Sequence, residues 1–124
     1  MPNTILIVDD FPDYVTLLEK KLKAEGFATI TATSGEAGIQ KARSEKPDLI
    51  ILDIMMPNIG GTEVRFELAK DPATKVIPII FLTGLRAPQS KKKTQDGVKT
   101  IGKSNDLHEL LDAISEVFKR TVKN

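Results

Sequence analysis

Lys46-Pro47-Asp48-Leu49-Ile50-Ile51-Leu52-Asp53 decides how this chain is read. Four apolar residues in a row, with Pro47 just before them, form a strand buried on both faces, as in the middle of a parallel sheet. The run ends in a carboxylate, which is costly among apolar residues unless it has partners or a task. A second run, Ile5-Leu6-Ile7-Val8, also ends in acid, at Asp9 and Asp10. Two strands finishing in carboxylates predict one acidic pocket at one edge of a sheet.

Outward from these runs, strand and helix patterns alternate. Helical spacing over 12–25 puts Val15, Leu18 and Leu22 on one face, with Pro12 in the first turn and Gly26 at the stop. Phe27 to Ala32 reads as a short second strand. Thr33 and Ser34 offer capping hydroxyls to a helix carrying Gly38, Ile39 and Ala42 inward and ending before Pro47. The third strand is expected over 48–52, with a turn at Pro57-Asn58-Ile59-Gly60-Gly61. The next helix carries Val64 and Leu68 and stops near Asp71-Pro72. A fourth strand is expected over 77–82, with Pro78 near its start, and a fifth over 98–101. The last helix, 106–119, carries the stripe Leu107, Leu110, Leu111, Ile114, Val117 and Phe118, with Asp106 and Glu109 suited to a capping box. Asp10 could equally cap the first helix. The segment 84–97 has no apolar stripe, so a fourth helix there should be short or disordered. The result is an α/β, flavodoxin-like, doubly wound five-stranded parallel sheet of order 2-1-3-4-5. In that order the crevice lies at the carboxyl ends of strands 1 and 3, where Asp9, Asp10 and Asp53 sit.

The chain has 124 residues, 40% hydrophobic and 28% charged, sufficient for a single domain over 1–124. With 18 basic and 17 acidic residues the net charge is +1, which leaves no footprint for direct nucleic-acid binding. The basic run Lys91-Lys92-Lys93 reads as a solvated surface or a docking patch for an acidic partner. No apolar stretch approaches the roughly 20 residues of a membrane span. Cysteine is absent, and the N-terminus lacks a signal-peptide pattern, so a cytoplasmic location is expected. His108, the only histidine, reads as a solvated helix residue.

Three carboxylates in one crevice call for a divalent cation. Mg²⁺ takes oxygen ligands and needs only one or two protein carboxylates plus substrate oxygens. One carboxylate is then able to attack phosphorus and form an acyl phosphate. Thr83 follows the fourth strand and Lys103 the fifth, offering a hydroxyl and a cation to a phosphoryl group. In chain order the set is Asp9-Asp10, Asp53, Thr83, Lys103, each at a strand end.

With Lys46 to Pro57, Gly61, Pro78 to Thr83 and Lys103, these residues resemble the receiver domain of bacterial two-component response regulators over nearly the whole chain. The resemblance implies that Asp53 is the phosphoacceptor, taking phosphoryl from a sensor histidine kinase or a phosphotransfer protein in a phosphorelay. It implies Mg²⁺ on Asp10 and Asp53 directly, on Asp9 through water, and on the Met55 backbone carbonyl. Thr83 would bind the phosphoryl group, and Lys103 would pair with Asp53 beforehand. Such a domain is a phosphoacceptor that promotes its own phosphotransfer and dephosphorylation, rather than an enzyme acting on others.

Three departures from the family pattern stand out. Ser104 replaces the proline that usually follows the lysine, so the Lys103-Ser104 peptide is expected either trans with a rearranged loop, the preferred reading, or cis and strained, held by its surroundings. Thr100 occupies the place of the switch aromatic, and the 20 residues from Thr83 to Lys103 are fewer than usual; an output different from the aromatic-coupled one is expected. Met55 and Leu85, apolar beside the attacking water's path, should slow dephosphorylation. Two other readings compete. A haloacid-dehalogenase-like phosphotransferase would need an Asp-x-Asp pair and a cap domain. A degenerate receiver would act as a phosphorylation-independent binding module.

Overall fold

The computed structural model describes residues 3–84, 99–103 and 107–122, with side chains to residue 119. Five parallel strands form one sheet: β1 (Thr4–Val8), β2 (Ala28–Ala32), β3 (Leu49–Asp53), β4 (Ile79–Thr83) and β5 (Lys99–Gly102), in the order β2-β1-β3-β4-β5. Helices α1 (Pro12–Ala24), α2 (Gly35–Glu45), α3 (Gly61–Leu68), α4 (Pro72–Lys75) and α5 (His108–Val122) surround it. The doubly wound order expected from the sequence is the order found.

Strand alternation divides the core into two layers. Ile5, Ile7, Leu49, Ile51, Ile80, Leu82 and Ile101 pack with Tyr14, Leu18 and Leu22 of α1 and with Leu110 and Ile114 of α5. Leu6, Val8, Ile50, Leu52 and Phe81 pack with Ile39 and Ala42 of α2 and with Val64 and Leu68 of α3. Asp53 has the parity of Leu49 and Ile51, and Asp9 that of Ile5 and Ile7. Both carboxylates therefore leave the sheet on the α1–α5 side.

Several boundaries differ from the sequence reading. β3 starts at Leu49 and includes Asp53, because Asp48 instead closes the strand's entry: its carboxylate accepts the Thr4 N–H at 2.7 Å. β4 begins after Pro78, which has no N–H but whose carbonyl accepts from Ile50 at 3.0 Å. Asp71-Pro72, read as a stop, starts the short α4: the Asp71 side chain caps the Ala73 N–H at 3.0 Å. α5 begins at His108; the expected cap residue Asp106 lies outside the described residues. So do the Lys103-Ser104 peptide, the Lys91-Lys92-Lys93 run, Leu85, and nearly all of the expected fourth-helix segment.

Helix ends are set locally. Ser34 caps α2 by accepting the Ala37 N–H at 3.1 Å. After α1, Gly26 at φ +96° lets its own N–H reach the Lys23 carbonyl while the Phe27 N–H reaches that of Leu22. This left-handed exit is open to glycine and strained for other residues.

Candidate functional site

The carboxyl ends of β1 and β3 lie side by side, with Val8 opposite Leu52 in register. The next residues along the two strands are Asp9 and Asp53. Both are buried, Asp9 fully and Asp53 to 2% exposure, while Asp10 is exposed. One carboxylate oxygen from each of Asp9, Asp10 and Asp53 lies within 4.8 Å of the others. Asp10 does not cap α1. The N-cap is Phe11, without a side-chain cap, and the Phe11 N–H is taken by Asp9 Oδ1 at 3.0 Å. That bond orients Asp9 and leaves the exposed Asp10 carboxylate at the mouth.

Lys103 follows β5, held there by its N–H donating to the Thr83 carbonyl at 2.8 Å. Its ammonium lies 2.8 Å from Asp9 Oδ2 and 3.5 Å from Asp53 Oδ2, so it touches both acids and stands closer to Asp9. Asp9 Oδ2 is buried with no other polar partner among the described residues. Thr83 is buried at the end of β4, opposite Gly102. Thr100, where the family usually carries an aromatic, sits within β5 opposite Phe81.

Electrostatics follow from this packing. Burial, and then the charge of Asp9, push the Asp53 carboxyl up to about 6, against the pull of Lys103 and the Met55 backbone N–H. Burial works to lower the Lys103 ammonium, but the hydrogen bond and charge of Asp9, and then of Asp53, outweigh it and hold the group above its ordinary 10.5. One ammonium against three carboxylates leaves the pocket short of positive charge. An all-oxygen donor set with a buried oxygen lacking a full complement of partners fits a hard divalent cation.

Two further residues shape the site: Gly61, which the sequence places in a turn and among the family-like residues, and Tyr14, which it does not single out. Gly61 opens α3 against the strand end: a Cβ there would stand 2.5 Å from the Asp53 carbonyl oxygen and 3.0 Å from Ile54 Cα. Its N–H donates to the Ile54 carbonyl at 2.9 Å, which fixes the loop leaving Asp53. Tyr14 is the second. It lies one turn before Leu18 on the stripe running on to Leu22, and its ring centroid is 5.1 Å from the Lys103 ammonium. Extending that stripe one turn toward the N-terminus would have found it.

An acidic pocket with a bridging lysine at the switch point of a 2-1-3-4-5 sheet defines a class, and comparison with known proteins agrees. The response regulator receiver domain model matches residues 5–115, and the chain belongs to that family. It is 45% identical over 83 residues to the alkaline phosphatase synthesis transcriptional regulatory protein PhoP of Bacillus subtilis, covering 67% of this chain and 34% of PhoP. It is 36% identical over 116 residues to protein PilH of Pseudomonas aeruginosa, covering 92% of this chain and 96% of PilH. Among solved structures it is similar to the response regulator TrrA of Thermotoga maritima in complex with Mg²⁺-BeF, with TM-score 0.80, 36% identity, and coverage of 93% and 98% of the two chains. TrrA in complex with the histidine kinase ThkA is similar at TM-score 0.79 and 35% identity, covering 93% of this chain and 97% of that one. The chain thus spans about a third of PhoP, and 19% of the response regulator PleD of Caulobacter vibrioides. No helix among the described residues is long and apolar enough to cross a membrane.

Proposed function

We propose that Asp53 is the phosphoacceptor of this receiver domain, taking a phosphoryl group from the phosphohistidine of a sensor histidine kinase or a phosphotransfer protein. The observation that carries the reading is the buried Asp53 carboxylate flanked by Asp9 and by the Lys103 ammonium at 3.5 Å. An Asp53 oxygen attacks phosphorus and forms a P–O bond. The P–N bond breaks, and its electron pair leaves on the imidazole nitrogen, which takes a proton from solvent. Lys103 follows the negative charge from the Asp9–Asp53 pair onto the phosphoryl oxygens. Thr83, at the neighbouring strand end, supplies its hydroxyl to another of those oxygens. Later attack by water on phosphorus frees phosphate and restores the carboxylate.

Mg²⁺ held by Asp10 and Asp53, by Asp9 through water and by the Met55 carbonyl would supply the charge neutralisation that one lysine leaves incomplete. The similar TrrA structure contains Mg²⁺-BeF, which supports that choice of cation. The exposed Met55 side chain at the mouth would limit the approach of the attacking water and prolong the acyl phosphate. A kinase partner of this kind supports a cytoplasmic location for the domain. The downstream target is a protein. The assembled acids and lysine weigh against a phosphorylation-independent binding module.

Incubation with acetyl phosphate and Mg²⁺ should add the mass of one phosphoryl group. Asp53→Asn should abolish the adduct. An adduct that survives this substitution would refute the assignment of Asp53.

A further inference from the structure

The family's phosphotransfer residues sit at strand ends, but here one helix residue reaches into the same space. Tyr14 lies in the first turn of α1 and is buried to 8% exposure, within the layer that also holds Ile101 and Leu107. Its ring stands at the boundary between that apolar layer and the acid pocket. The Lys103 ammonium lies 5.1 Å from the ring centroid, 2.8 Å from Asp9 and 3.5 Å from Asp53. The lysine side chain is 19% exposed, so these contacts are made largely out of water.

We propose that Tyr14 is a positioning residue for phosphotransfer: its ring face holds the Lys103 ammonium between Asp9 and Asp53, from where it reaches the phosphoryl oxygens. The inference rests on the phosphoacceptor reading of Asp53. The physical case has two parts. A long lysine stem leaving a short strand has many rotamers, and an ion pair to Asp9 alone would draw the ammonium away from the reacting acid. A ring face attracts a cation without a directional hydrogen bond, so it restrains the ammonium yet lets it slide when charge appears on the phosphoryl group. Asp9, oriented by the Phe11 N–H, and Tyr14, one turn further along, both come from the same chain entry into α1.

The test compares Tyr14→Phe, which keeps the ring face, with Tyr14→Leu, which removes it, in wild-type and Lys103→Met backgrounds. Phosphorylation by acetyl phosphate in Mg²⁺ is followed by intact mass. In the wild-type background Leu should slow the reaction about tenfold and Phe by less than about twofold. In the Lys103→Met background Leu should add less than about twofold, because the group it positions is gone. A merely structural role would slow the Leu variant equally in both backgrounds; an upfield ring-current shift of the Lys103 Cε protons in the wild type and in Tyr14→Phe shows separately that the lysine lies over the ring face in solution. If the Leu variant fails to fold, Tyr14→Met carries the same comparisons. Equal slowing by Leu in both backgrounds, no slowing at all, or a Phe variant as slow as Leu overturns the proposal while leaving Asp53 as acceptor. A wild-type protein that takes up no phosphoryl group overturns the phosphoacceptor reading, and this inference with it.

Discussion

Asp53→Asn should make the metal-free protein more stable at neutral pH, not less. Asp53 is nearly fully buried, and its carboxyl is raised from an ordinary 3.8 to about 6, first by burial and then by Asp9. Between those two pH values the folded state binds more protons at this site than the unfolded state does. Stability therefore falls as pH rises through the window, and the loss is complete above about 6. At about 1.36 kcal/mol for each tenfold difference in proton affinity, the ionised carboxylate costs about 3 kcal/mol at pH 7, an upper bound because the pocket is able to relax. Asparagine keeps the shape and an oxygen for the Met55 N–H but carries no charge, and Lys103 retains Asp9. The variant should gain up to about 3 kcal/mol at pH 7 and about nothing below pH 4. For a domain of this length that is roughly a 10 °C rise in Tm. The assay is urea and thermal unfolding across pH 3.5–8 with EDTA present, over the range where wild type and variant unfold reversibly. Millimolar Mg²⁺ should then narrow the gap, because a cation bound to the folded wild type stabilises it by mass action. A gap that is absent at pH 7, or that does not change with pH, would refute the claim that Asp53 carries an uncompensated buried charge.

Two substitutions probe the neighbours of that charge. Lys103→Met should destabilise the metal-free protein by about 3 kcal/mol or more in urea unfolding at pH 7, because it leaves the buried Asp9 carboxylate without a counter-charge; a loss under about 1 kcal/mol would contradict it. Since the Lys103 ammonium is held above 10.5, its stabilising contribution is present below that pH and fades as pH rises through the higher folded value, a decline the Met variant should lack. Gly61→Ala should cost about 1–3 kcal/mol in the same assay and slow phosphorylation, because the new methyl meets the Asp53 carbonyl and Ile54 Cα, backbone atoms with no rotamer to give; wild-type stability would show that the loop yields without resistance.

What the sequence revealed and what it concealed divide along a physical line. The sheet order and the acid pocket were legible because parallel strands advertise themselves as apolar runs, and carboxylates at their ends are expensive enough to need a reason. Ile5 to Val8 and Leu49 to Leu52 fix the two central strands, and period-2 alternation alone sends Asp9 and Asp53 to the same side. Asp10 was ambiguous, since an acid before a helix is as good a cap as a ligand. Only the Phe11 N–H on Asp9 shows that the acid facing inward performs the local hydrogen bonding while the exposed one is left over. Tyr14 was hidden for a different reason. Helical periodicity assigns a residue to a face but not to a height on that face, and an aromatic on the apolar stripe reads as core. Its significance depends on where β5 ends, a distance in sequence that no local pattern spans. The same holds for Lys103 leaning toward Asp9: charge complementarity predicts that it joins the acids, while the choice between two carboxylates is made by the register of β1, β3, β4 and β5. The residues of the acid pocket were therefore readable wherever the cost of burial singled them out. The contacts that tune it emerged only where strand register and helix height combined.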